Sequence, residues 1–152
     1  ECWGNIDYDK KSIDSETFEF IQFLTNQFNV KLHGIVNATE LAIAYQQMDA
    51  FLICYDIQKD QSKGTNYHKV IEFLSTGKVI ISNNVSTYKN LNNLLVMCES
   101  RLNNNALPKL FSNVIDNLKH YNSPYNMQYR RDFSLANSYV SQIFRIEQIM
   151  HE

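Results

Sequence analysis

Thr65, Asn66, His68, Lys69 and Glu72 fall within eight consecutive positions and offer a hydroxyl, an amide, an imidazole, a cation and a carboxylate. Collected near a helix N-terminus, such a set suits a nucleoside diphosphate. Unpaired backbone N–H groups and the helix dipole attract the pyrophosphate, a nearby Lys or His adds positive charge, and a carboxylate accepts both ribose hydroxyls. Projected at the helical turn, Tyr67, Val70, Ile71 and Leu74 share one face, while Thr65, His68, Lys69 and Glu72 share the other. Glu72 is the candidate ribose ligand. Lys69 and Glu72, three apart, equally describe a solvent-exposed helix pair worth about 0.3 kcal/mol.

The elements that must position these residues follow from hydrophobic pattern. Short apolar runs alternate with longer stretches of helical period, which predicts an α/β fold: a three-layer αβα, Rossmann-like domain on a parallel sheet, with an added C-terminal amphipathic helix. Strands are expected at Cys2–Ile6, Val30–His33, Ala50–Tyr55, Val79–Ser82 and Leu94–Met97. Ala50–Tyr55 has the uninterrupted apolar character of a central strand covered on both faces, with Cys54 in the core. Helices are expected over Asp14–Phe28 (Phe18, Ile21, Leu24, Phe28), around Leu41, Ala44, Tyr45 and Met48, from the Asn66 region to Gly77, and over Leu107–His120. A loop is expected around Pro124, then a terminal helix carrying Ala136, Tyr139, Val140, Ile143, Ile146 and Met150. Gly4 and Gly34 close strands, Gly64 falls in a loop and Gly77 takes a helix C-cap position. Ligands of open parallel sheets bind outside the carboxyl ends of the strands, so the loops after Gly4, Gly34, Tyr55 and Ser82 form the expected rim.

The stretch Asn66-Tyr67-His68-Lys69-Val70-Ile71-Glu72-Phe73-Leu74-Ser75-Thr76-Gly77-Lys78-Val79-Ile80-Ile81-Ser82 resembles the donor-site signature of GT-B type glycosyltransferases of the group 1, family 4-like kind. There a Lys, a Glu, an aromatic-Leu pair, a small residue and Gly-Lys-Pro-Val follow in order. Met48-Asp49-Ala50-Phe51-Leu52-Ile53 is similar to that family's lead-in strand, and Trp3-Gly4-Asn5-Ile6 to its opening strand and glycine loop. Arg130-Arg131 followed by Ala136-Asn137-Ser138-Tyr139 is similar to its closing segment. The resemblance spans nearly the whole chain and implies the nucleotide-sugar-binding C-terminal half of a two-domain enzyme. Such an enzyme transfers a sugar from a UDP-, GDP- or ADP-sugar to an acceptor hydroxyl in polysaccharide or glycoconjugate synthesis. Glu72 would hold the ribose hydroxyls, and Lys69 and His68 would lie near the diphosphate. Gly4 and Asn5 would lie under the phosphates or sugar, and Thr65 and Asn66 would bond at the helix start. No catalytic residue is assigned within the chain, because the acceptor site and any base would come from an upstream domain. Many retaining members carry a further Glu where this chain has Gly64, and Val79 replaces the family's proline.

Bulk properties agree with a single globular domain. The chain has 152 residues, 44% hydrophobic and 20% charged, which is enough to bury one core without disulfides. A formal net charge of −2 argues against a nucleic-acid partner, which demands a dense field of Lys and Arg. No apolar run approaches bilayer length. Cys2, Cys54 and Cys98 are widely spaced and lack metal-ligand neighbours, as expected of reduced thiols in the cytoplasm, and no metal or resident cofactor is expected. The chain opens Glu1-Cys2-Trp3-Gly4 without a leader, so a preceding domain is expected; Asn37-Ala38-Thr39 is expected to start a helix. Two alternatives remain. Asp7, Asp9, Asp56 and Ser82 have the residue types of a response-regulator receiver, although Asn103-Asn104-Asn105 stands where its Lys is needed. A noncatalytic domain of the same fold is the other.

Overall fold

The computed structural model describes residues 1–4, 14–57 and 67–151. Two compact units make up the chain, Glu1–Ala44 and Tyr45–Glu152.

In the N-terminal unit, helix α1 (Ser15–Thr25) begins where Asp14 accepts hydrogen bonds from the Thr17 backbone N–H and hydroxyl, both at 2.8 Å. Phe18, Ile21 and Leu24 are half-buried, and Phe28 lies beyond the helix end and is exposed. Helix α2 (Ala38–Gln46) starts as the Asn37-Ala38-Thr39 triplet predicts, with the Asn37 side chain accepting from the Glu40 N–H at 2.9 Å. The strands predicted at Cys2–Ile6 and Val30–His33 reduce, among the described residues, to one parallel bridge between Cys2 and Leu32. Asn5 and Ile6 lie outside the described residues. Trp3 and His33 stack at 4.7 Å beside that bridge, and Glu1 pairs with His33.

The C-terminal unit is built on a three-stranded parallel sheet of order β1-β2-β3: β1 (Ala50–Ile53), β2 (Val79–Ser82) and β3 (Val96–Met97). Every residue of β2 is buried, and its successive side chains enter two different cores. Ile80 packs with Phe51, Ile53 and helix α3 (Tyr67–Ser75), whereas Val79 and Ile81 pack with Cys98 and helix α4 (Leu107–Asp116). β2, not β1, is therefore the strand covered on both faces. β1 is an edge among the described strands, with Leu52 53% exposed. Cys54, two residues on and so on the same side of the strand, is exposed and does not belong to the core.

The helical half departs from its predicted segmentation in three places. The helix expected over Leu107–His120 breaks at Asn117, whose side-chain amide donates to the Asn113 carbonyl at 2.8 Å, and resumes as α5 (Leu118–Tyr121). The loop expected around Pro124 is instead the start of α6 (Pro124–Ala136). Ser123 caps it, and Pro124 occupies the first turn, where a missing N–H costs nothing. The single terminal helix expected from Ala136 is split at Asn137–Ser138, and Ser138 caps the new helix α7 (Tyr139–Met150). The apolar residues of α7, from Ile143 to Met150, are 54% to 78% exposed. No described helix is long and apolar enough to cross a membrane.

α6 runs antiparallel along α3. Gly77 closes α3 with φ +80°, and a Cβ there would stand 2.8 Å from the Met127 carbonyl oxygen, so only glycine permits this approach. Arg131 donates to the Thr76 carbonyl at 2.9 Å, and the Ser134 hydroxyl donates to the Ile71 carbonyl at 3.0 Å. The preceding Arg130, 1% exposed, donates to the carbonyls of Gly77, Asn93 and Tyr121, each at 3.0 Å. Burial pushes its pKa down to about 10, so the guanidinium is still a cation at neutral pH. Arg130→Met is expected to lower the unfolding free energy by about 3 kcal/mol, because the buried Gly77 carbonyl and the part-buried carbonyls of Asn93 and Tyr121 lose a charged donor. Urea unfolding followed by circular dichroism reads this as a lower midpoint at constant slope; an unchanged midpoint shows that the carbonyls find other donors.

Candidate functional site

α3 is amphipathic as its sequence predicts. Val70 and Leu74 are fully buried and Ile71 is half-buried, while His68, Lys69 and Glu72 are exposed. The outward face does not look onto open solvent along its length. Ser134 near the end of α6, the Asn137–Ser138 joint and the first turn of α7 stand opposite it, enclosing a cavity of about 510 Å³. His68, Ile71, Glu72 and Ser75 supply the α3 wall. Tyr139 and Gln142 supply the α7 wall.

The two walls touch at the top. The Tyr139 hydroxyl lies 2.6 Å from His68 Nδ1, and the two rings stack with centroids 5.4 Å apart. Most neutral polar groups around the groove are already spent on holding the walls. Ser134 bonds the Ile71 carbonyl, Ser75 the Glu72 carbonyl, Ser138 caps α7, and the Asn137 amide bonds the Phe133 carbonyl at 2.8 Å. Among the described residues the Glu72 carboxylate accepts no hydrogen bond, and the Gln142 side-chain amide donates to Asn137 Oδ1 at 3.5 Å. Glu72 nevertheless acts on its surroundings. Burial first, and then the negative charge of Glu72, raise the pKa of the Tyr45 phenol, which packs edge-on against Phe51 and Phe73.

Of the residues singled out in the sequence, the groove brings together His68 and Glu72. Lys69 is exposed on the same helix but is not among the lining residues. Thr65, Asn66 and Asn5 lie outside the described residues, as do Gly64, Asp7 and Asp9; Gly4 belongs to the N-terminal unit. Asp56 is exposed just past β1, and Ser82 at the end of β2 is fully buried. Tyr139, Gln142 and Ser134 were not among the predicted site residues. Their one sequence signal is the Asn137-Ser138-Tyr139 stretch, which marks a helix start and belongs to the closing segment of the resemblance. Among the described residues no cluster of three His, Cys, Asp or Glu side chains could hold a metal ion.

The chain matches no family model, no curated protein and no solved structure. The site therefore stands on its own geometry. Tyr139→Phe keeps the stacked ring and removes the hydroxyl, so the imidazole nitrogens of His68 are expected to shift in nitrogen-15 NMR with a stability loss of about 1 kcal/mol. Unchanged imidazole resonances would show that the two walls are not joined there in solution.

Proposed function

We propose that this chain is the nucleotide-sugar-binding half of a GT-B type glycosyltransferase. One observation carries the reading: two stretches that resemble that family, far apart in the chain, converge on one cavity. His68 and Glu72 come from the donor-site stretch, and Asn137, Ser138 and Tyr139 from the closing stretch. Support for the three-layer αβα, Rossmann-like form of the fold comes from β2, which feeds one core on the α3 side and another on the α4 side.

In this reading Glu72 accepts the ribose hydroxyls, an interaction strengthened by the full charge on the carboxylate. The diphosphate meets the N-terminal end of α3, where backbone N–H groups, Lys69 and His68 offset its charge. Transfer breaks the bond between the anomeric carbon and the diphosphate oxygen and forms one to an acceptor hydroxyl. Stabilising the departing diphosphate is this domain's share of the chemistry. The acceptor and the group that takes its proton belong to an upstream domain that closes over the cleft.

Calorimetric titration with UDP, GDP and ADP tests the proposal. One of the three is expected to bind, and Glu72→Ala is expected to weaken it about tenfold or more, the loss of a charge-assisted hydrogen bond. Failure of all three to bind, or an affinity indifferent to Glu72→Ala, overturns it.

A further inference from the structure

We propose that α7 is a self-association surface, at which the row Ile143-Ile146-Ile149 packs antiparallel on the same row of a second copy of this chain. None of these residues lines the groove between α3, α6 and α7, and the inference is independent of the donor-binding reading.

α7 is turned inside out. On an ordinary surface helix the apolar stripe faces the body and the polar face meets water. Here the polar side is the one fastened down. The Ser141 hydroxyl donates to the Leu135 carbonyl and the Arg145 guanidinium to the Ala136 carbonyl, both at 2.8 Å. Ser141 and Arg145 stand four apart and share a face, so these two bonds to the end of α6 set the rotation of α7 about its own axis. Ile143, Ile146 and Ile149 rise at three-residue steps on another side and form a ridge, with Met150 beside its end. The three isoleucines are 54%, 56% and 72% exposed and Met150 78%, and no residue of α7 is buried.

Symmetry, charge and area say what covers the ridge. Reversed about Ile146 the row is unchanged, three isoleucines at the same spacing, so an antiparallel copy related by a two-fold axis meets it level with itself, as an isologous interface requires. Opposed helix dipoles favour the same arrangement. The ridge holds no ionisable side chain, and Arg145 and Glu147 flank it on opposite sides, so it neither calls for a charged partner nor repels its own copy. A lipid surface fits less well, because helices that lie on membranes line their polar face with Lys and Arg, whereas the one cation of α7, Arg145, is bonded to the Ala136 carbonyl. Four side chains at on the order of 100 Å² each give about half of the roughly 800 Å² per partner of a standard stable interface, which makes the dimer weak and concentration-dependent.

Sedimentation equilibrium of the whole chain from about 10 μM to about 1 mM tests the proposal, with half-association expected on the order of 100 μM and no species beyond the dimer. At the two-fold axis Ile146 faces its own counterpart. Ile146→Asp and Ile146→Lys therefore each place like charges opposite one another and are expected to weaken association about tenfold or more. The side chain is more than half exposed, so both variants keep the fold, read as an unchanged circular dichroism spectrum. An equimolar mixture of the two variants is expected to restore the dimer, a result that misfolding of either cannot produce. A chain that stays monomeric across the range overturns the proposal. So does association indifferent to Ile146→Asp, a mixture that fails to recover, or growth into open-ended assemblies. Co-sedimentation with phosphatidylcholine vesicles by a chain that is monomeric without them also overturns it and assigns the ridge to lipid. None of these outcomes bears on UDP, GDP or ADP binding, by which the donor reading is judged separately.

Discussion

The guanidinium of Arg130 sits where three chain segments end, and each offers it a carbonyl: Gly77 after α3, Tyr121 at the end of α5, and Asn93 in the turn before β3. A helix end leaves carbonyls without intrahelical partners, and burying them without donors is costly. Arg130 satisfies all three at once from the middle of α6. Its planar fork can do this where a Lys point charge could not. The neighbouring Arg131 completes the arrangement at Thr76, so two consecutive residues of α6 stitch the C-terminal end of α3. The α6 helix is thereby fixed in both position and direction, and everything α6 leads into inherits that placement.

What it leads into is the far wall of the groove. α6 descends beside α3, ends at Asn137, and hands over to α7 through the Ser138 cap, so that Tyr139 arrives opposite His68. The cavity is a product of helix packing and depends little on the strands. Glu72, which looks like one member of a surface ion pair in the sequence, is held facing hydroxyl, amide and aromatic groups. That change of company is what gives its carboxylate chemical meaning.

Local order was the legible part. Val70, Leu74 and the terminal Gly77 define α3 by spacing and cap, the Val-Ile-Ile run defines β2, and Asp14 and Asn37 announce the helices they begin. Patterns that depend on distant partners were not legible. The Ala50–Tyr55 run looks central because it is apolar, yet apolarity does not tell an edge strand from a covered one, and Leu52 and Cys54 are exposed. Ser123-Pro124 carries the signal of a helix start as well as of a loop, and only the Met127 and Arg130 contacts decide between them. His68 and Tyr139 stand 71 positions apart, so no window of sequence contains both. Arg130 gives no warning either, since a buried cation satisfied by backbone oxygens looks like any charged residue on an amphipathic helix.

One feature of the packing reaches further than its own surroundings. At position 77 the chain carries no side chain, and the gap between α3 and α6 closes onto the Met127 backbone. Any added carbon would press on the Met127 backbone and the Arg131 side chain and push α6 away from the end of α3. Position 77 thus bears on where α6 and the groove wall that follows it are placed, although it is not itself a lining residue. The shape of the groove can therefore change in this molecule with every lining residue left intact.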